Sequence, residues 1–253
     1  MRIFRCCKGG RVDGPSNPPP EPLRSLLNGT HAHSNFYRTH ARTFNNALAF
    51  ASLEAKFDQR FFQGPQAGGV YQLRIQGQVH HLIGALLPNE GRHHKFAQIY
   101  MLDEEEQLTR RGEILPDVLG RGTGNSILQS LQRMVLEHNP LAGAFRSAAR
   151  TLIENPDIRD YVLRFADLEN EGLDPHVYNR PTVQEVAAFI PEADVEQGLY
   201  QQNVVLRTHG GRLQHIRDTC PWYLSLRYPL LHTFGEAGWW PTRPYVDPNN
   251  RYR

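Results

Sequence analysis

The pair Asn139-Pro140 constrains this chain more than any other two neighbouring residues. Proline lacks a backbone N–H and its ring clashes with the preceding turn, so a helix does not run through it, yet the first position of a new helix accepts it readily. Upstream, Ile127, Leu128, Leu131, Met134 and Val135 recur at helical spacing, with Asn125 and Ser126 as predicted caps. Downstream, Leu141, Phe145, Ala148, Leu152 and Ile153 form a second apolar stripe, which Asn139 caps. Two helices meeting at one break fold back on each other, so a helical hairpin with a Leu/Phe core is predicted.

The surrounding segments predict strands as well. A helix is expected from Ser34 to about Ala49, with Ser34 as cap and Phe36, His40, Phe44 and Leu48 on one face. Tyr71, Leu73 and Ile75 alternate with polar residues; Gly77 is expected to break the run, with Val79–Ile83 returning as the second arm of a hairpin. Phe96–Leu102 is a third strand candidate, and the acidic run from Asp103 to Glu106 reads as a solvated helix start. Tyr161–Phe165 predicts a strand, while Val183–Ile190 is undecided between helix and strand. Val204–Leu206 and Leu213–Ile216 flank His209-Gly210-Gly211-Arg212, a β-hairpin signal. The predicted class is α+β: a mixed antiparallel sheet with hairpins, a helical hairpin, and an irregular, aromatic-rich C-terminus. Four regions are expected: 1–22, a Cys-Cys segment and Pro-rich connector; 23–166, an α+β domain; 167–181, a loop; and 182–253, a β-hairpin with an aromatic-rich lobe.

Composition narrows the functional classes. No apolar run approaches the ~18–20 residues needed to cross a bilayer, and residues 1–10 lack a signal-peptide core. Three cysteines at 6, 7 and 220 do not make a disulfide scaffold, which predicts an intracellular setting. Charge is uneven, at +7 over residues 1–100, −9 over 101–200 and +4 over 201–253. Such a pattern suits an anionic partner at the ends or complementarity within the chain. Of the 28 cations, 25 are Arg, which fits bidentate phosphate contacts or simply a codon bias.

Enzyme motifs are missing from the sequence. Gly9 to Ser16 has the glycines of a phosphate loop but Pro15 where the lysine belongs, and Gly120-Arg-Gly-Thr-Gly-Asn-Ser126 also lacks the lysine. There is no Gly-x-Ser-x-Gly elbow. His31-Ala32-His33 has the letters of a His-hydrophobe-His metal motif, but it precedes a helix instead of lying on an apolar strand, and His80 and His81 point to opposite strand faces.

Several segments, taken in order, carry a resemblance. They are Arg5-Cys6-Cys7-Lys8-Gly9-Gly10-Arg11-Val12 with Pro19-Pro20-Glu21-Pro22-Leu23; Phe44-Asn45-Asn46-Ala47-Leu48-Ala49-Phe50-Ala51-Ser52; and Tyr71 to Pro88 leading to Lys95-Phe-Ala-Gln-Ile-Tyr100. Leu136-Glu-His-Asn139-Pro140-Leu-Ala-Gly-Ala-Phe145-Arg146 follows, then Gly211-Arg212-Leu213-Gln214, Tyr223 to Leu231, and Gly235-Glu236-Ala237-Gly238-Trp239. Over roughly residues 5–240 the chain resembles the N-terminal region of the transposase-helicase of Helitron rolling-circle transposons. In that family a His-hydrophobe-His nuclease with paired tyrosines follows this region, and a Pif-type helicase follows the nuclease.

Neither catalytic motif set is in this sequence, so the resemblance implies a non-catalytic piece of a longer nuclear protein. The family also places a Cys-x-x-Cys pair upstream of its Cys-Cys, so Cys6 and Cys7 correspond to half of a zinc site. The expected partners are single-stranded DNA and the nuclease and helicase domains of the parent protein. Arg38 and Arg42 on the first long helix, with Trp222, Arg227, Trp239, Trp240 and Arg243 near the C-terminus, are the candidates for backbone contact and base stacking. Those aromatics equally suit the packing of a terminal lobe. The other expectations are a scaffold for the missing domains and a non-functional transposon remnant.

Overall fold

Asn139 caps a helix as its spacing predicts. Its Oδ1 accepts the backbone N–H of Leu141 at 3.0 Å, and Pro140 opens the helix that follows. The structure, a computed structural model, describes residues 17–57, 75–155, 161–165, 187–191, 205–207, 214–217 and 219–240. Its elements are α1 (Leu23–Asn28), α2 (Ser34–Leu48), β1 (Ser52–Phe57), β2 (Ile75–Ile83), a 3-10 helix (Phe96–Met101), α3 (Glu104–Gly112), α4 (Pro116–Leu119), α5 (Gly122–His138), α6 (Pro140–Glu154), β3 (Tyr161–Phe165), β4 (Ala187–Pro191), β5 (Val205–Arg207), β6 (Gln214–Ile216) and α7 (Tyr223–Arg227). The class is α+β with helices dominant.

The helices form where periodicity and caps agree. Asp103 caps α3, its Oδ1 accepting from Glu105 and Glu106 N–H at 3.0 and 2.9 Å. Acidic side chains then fill the first turn and Arg110 and Arg111 the last, matching the helix dipole at both ends. In α5 the stripe from Ile127 to Val135 is buried. In α6, Leu141, Phe145 and Ala148 are buried, but Ile153 is 78% exposed because it lies about 100° around the helix from Leu152. Helix α5 begins at Gly122, ahead of the expected Asn125/Ser126 cap; Asn125 instead donates through Nδ2 to the Leu119 carbonyl at 3.3 Å. Likewise His33, not Ser34, occupies the N-cap position of α2, and the Ser34 hydroxyl donates to the His31 carbonyl at 2.7 Å.

The described strands form two three-stranded antiparallel sheets, in the orders β1-β2-β6 and β4-β3-β5. Three sequence expectations are corrected here. Gly77 does not end a strand: β2 runs through it from Ile75 to Ile83 and pairs with β1, which no periodicity had signalled. The glycine sits where the register slips. Between Glu54↔His80 and Lys56↔Gln76 the chain advances two residues on β1 and four on β2. Gly77 thus lies in a bulge, a common place for glycine within a strand.

Phe96–Leu102 is not a strand, because Ala97, Ile99, Tyr100 and Met101 are all buried, a pattern a half-buried strand does not give and a tight 3-10 turn does. The segments around Gly210-Gly211 are not a hairpin either: β5 pairs with β3 and β6 with β2, in separate sheets. Of the undecided run Val183–Ile190, residues from Ala187 onward form strand β4. Residues 1–16, the segment 71–74, the expected loop 167–181 and the Gly-Gly turn lie outside the described residues.

One apolar core unites these elements. It takes Phe44 and Leu48 from α2, Leu131 and Val135 from α5, Phe145 from α6, Leu163 and Phe165 from β3, Ile216 from β6, and Trp222 and Leu226 near α7. An aromatic column runs through its centre. Tyr100 stacks on Phe50 at 4.4 Å between ring centroids, Phe50 on Phe145 at 5.7 Å, and Phe145 tilts against Phe165 at 6.3 Å. Residues on either side of 167–181 contribute to the same core.

Candidate functional site

The end of α2 is where distant parts of the chain meet. A helix leaves its last carbonyls without intrahelical partners, and here side chains from two other segments supply them, while a third holds the Asn46 side chain. Arg111 Nε donates to the Ala47 carbonyl at 3.1 Å, and the Tyr100 hydroxyl donates to the Leu48 carbonyl at 2.6 Å. Arg227 Nη2 donates to Asn46 Oδ1 at 2.7 Å. Asn45 reaches back, donating through Nδ2 to the Arg227 carbonyl at 3.0 Å and accepting the Leu230 N–H at 3.4 Å. The extended residues after α2 continue the junction: Phe50 and Ala51 N–H both donate to the Leu226 carbonyl, at 2.8 and 3.1 Å, while the Phe50 carbonyl accepts from Ala97 at 3.1 Å.

Arg111 has no exposed surface. Burial pushes its pKa down from the ordinary guanidinium value, and the neighbouring Tyr100 works against that shift. Among the described residues no carboxylate pairs with it. Its charge is instead met by Gln107 Oε1 at 2.8 Å, Gln132 Oε1 at 2.6 Å, and the Tyr100 ring face at 4.4 Å. The C-terminus of α2 adds the negative end of its dipole. Gln132 is fixed in turn by donating to the Glu104 carbonyl at 2.7 Å. One guanidinium nitrogen, Nη2, has no partner. The arrangement is a buried structural clamp: a cation closed to solvent and held through Nε and Nη1.

The expected contact residues divide sharply. Arg38 and Arg42 lie on the exposed face of α2. The Arg38 guanidinium is anchored, with Nη2 donating to the Leu27 carbonyl at 2.7 Å. Gly29 makes room for it: at φ +92° it suits glycine, and a Cβ there would lie 3.0 Å from that nitrogen. Trp239 is 52% exposed. Trp222 and Trp240, each 3% exposed, are packed inside, and Arg227 is buried against Asn46. Burial takes these three away from any stacking or backbone contact at the surface. Arg243, Cys6 and Cys7 lie outside the described residues.

For metal binding, the described residues hold no group of three or more His, Cys, Asp or Glu side chains close enough to share an ion. His31 and His33 tilt against each other at 5.6 Å, and His31 Nδ1 accepts the His33 backbone N–H at 3.1 Å, which occupies one imidazole nitrogen within the turn before α2. Cys220 is buried. No helix among the described residues is long and apolar enough to cross a membrane.

Sequence reasoning missed the junction itself. The signal was present in Asn45-Asn46, two residues with poor helix propensity in the last turn of α2, beyond the kink that His40 makes at φ −111° and ψ 15°. Residues of that kind at a helix end usually hydrogen-bond outward. Arg111 gave no such signal, since an arginine late in a helix ordinarily faces water. No family model, no curated protein and no solved structure matches this chain.

Proposed function

We propose that the chain is a non-catalytic N-terminal region of a Helitron-like transposon protein, acting in the nucleus as a DNA-binding or accessory module in DNA transposition. The observation that carries this reading is convergence. The segments that bear the resemblance lie far apart in sequence, yet Phe44–Ser52, Lys95–Tyr100, Leu136–Arg146 and Tyr223–Leu231 all meet at the end of α2 or one contact away. The Phe50 N–H, for example, donates to the Leu226 carbonyl at 2.8 Å, and the Phe50 ring stacks on Phe145 at 5.7 Å. The DNA-facing part of the reading rests on Arg38, Arg42 and Trp239. A salt titration of single-stranded DNA binding tests it: affinity that falls steeply with salt is expected. Micromolar or weaker binding, indifferent to salt, overturns it.

A second reading, a scaffold that holds the nuclease and helicase domains of a parent protein, gains from the burial of Trp222, Arg227 and Trp240. With those groups used for packing, the module has fewer means of gripping DNA. Pull-down with a Helitron nuclease domain separates the two: retention supports the scaffold, and its absence counts against it. Zinc at Cys6 and Cys7 belongs to the same proposal. It predicts metal uptake only when a second cysteine pair is supplied upstream.

A further inference from the structure

The exposed residues of α2 form one narrow stripe. Asn35, Arg38, Thr39, Arg42 and Asn46 are its only exposed positions, and they run along the solvent side of the helix across the kink at His40. None is apolar and none is acidic. The absence of carboxylates extends further: between residues 23 and 51 there are Arg24, Arg38 and Arg42 with His31, His33 and His40, and no Asp or Glu. Arg24 is engaged with Glu21 at 2.8 Å. Arg42, by contrast, has neither an ion pair nor a hydrogen bond among the described residues, and Arg38 spends only one of its guanidinium N–H groups, on the Leu27 carbonyl.

We propose that this stripe is a phosphate-backbone contact surface for nucleic acid, with Arg38 and Arg42 as the cationic contacts and Asn35 and Thr39 as neutral hydrogen-bonding groups beside them. The proposal rests on the reading of the chain as a DNA-binding module and assigns that contact to α2, away from the C-terminal aromatics. Charge decides the sign of the partner: a face with cations and no anions attracts a polyanion. Its chemistry decides the class. A protein interface has an apolar, desolvated centre, and this stripe has nothing apolar to bury. Backbone contact needs only cations and hydrogen-bond donors. Arg38 and Arg42 supply the cations from either side of the kink at His40, where the backbone leaves helical φ/ψ. The tether to Leu27 reduces the rotamer freedom that Arg38 would otherwise lose on binding.

The test uses the full chain and a fluorescent single-stranded oligonucleotide, read by anisotropy across a salt series. Arg42→Gln and Arg38→Gln are each expected to weaken binding several-fold at low salt. Each should flatten the plot of log affinity against log salt by about 0.7, the slope lost with one single-strand phosphate contact. Arg42→Lys should restore most of the slope. Arg121→Gln is the control for net charge, since Arg121 is highly exposed and lies on a different element. Salt-dependent binding that Arg42→Gln lowers no more than Arg121→Gln overturns this surface while leaving the DNA-binding reading in place. Wild-type binding that ignores salt overturns both. Displacement of the oligonucleotide by poly-glutamate as effectively as by unlabelled DNA also overturns the proposal, in favour of an acidic protein partner.

Discussion

Arg111 Nε lies 3.1 Å from the carbonyl oxygen of Ala47, so a guanidinium with no exposed surface closes the end of α2 from within the core. The same side chain reaches Gln107 and Gln132 and lies over Tyr100. It therefore ties α2, α3, α5 and the 3-10 helix together at one point.

Truncation at that point is expected to be severe. Arg111→Ala leaves a buried carbonyl and two buried amide oxygens without their donor, and each orphaned group costs about 1–3 kcal/mol. A loss of about 3 kcal/mol or more in urea unfolding is expected. Arg111→Lys keeps the charge but not the planar fork, and should lose about 2 kcal/mol. A lysine variant as stable as the parent would show that charge alone, and not the network, holds the junction.

Asn139 does two jobs with one side chain. Oδ1 caps α6, and Nδ2 donates to the His232 carbonyl at 3.2 Å, docking the C-terminal segment. Asn139→Ala should cost about 2–3 kcal/mol, the cap being worth about 1 kcal/mol and the orphaned carbonyl the remainder. Asn139→Asp keeps the cap but sets a buried carboxylate against the His232 carbonyl, so it should be no more stable than the alanine variant. An aspartate variant as stable as the parent would show that the contact with His232 contributes nothing.

Gly124 stands where α4 meets α5. A Cβ there would lie 1.5 Å from the Val118 carbonyl oxygen, and backbone atoms cannot swing aside as a side chain can. Gly124→Ala is expected to cost about 3 kcal/mol or more. Gly122→Ala meets nothing within 4 Å but has φ +58°, so it should cost only about 1–2 kcal/mol, the strain of a left-handed alanine. Thermal melts of the two variants compare crowding with conformational strain directly.

Alkaline pH should loosen the same core. Burial raises the Tyr100 phenol from its ordinary 10 to about 12, because a phenolate would be stripped of water. Below pH 10 the phenol is protonated in both folded and unfolded chains, and its stabilisation is fully present. As pH rises from 10 towards 12, the unfolded chain loses the proton first, so stability falls by up to about 2–3 kcal/mol. Tyr37, raised to about 12 by burial, acts in the same direction. Unfolding followed from pH 9 to 11 should show this decline, and Tyr100→Phe should reduce it. A flat profile above pH 10 would contradict the buried, protonated state.

What the sequence determined was local. The helix near 34–49, the two helices on either side of Asn139-Pro140, the helix start at 103–106, the Asn139 cap and the strand at 161–165 were legible because periodicity and capping depend on residues a few positions apart. What only the tertiary structure decided was pairing and burial. Whether Val205–Arg207 joins Gln214–Ile216 or β3 depends on which edge is open across the fold, and a Gly-Gly turn carries no information about that. The inward positions of Trp222 and Trp240 follow from α7 docking on the residues after α2, through hydrogen bonds from Phe50 and Ala51 to Leu226. The bonds that make the junction span 64 residues from Arg111 to Ala47, 93 from Asn139 to His232 and 181 from Arg227 to Asn46. No local pattern encodes contacts at such separations, because each partner is selected only once the chain has collapsed around it.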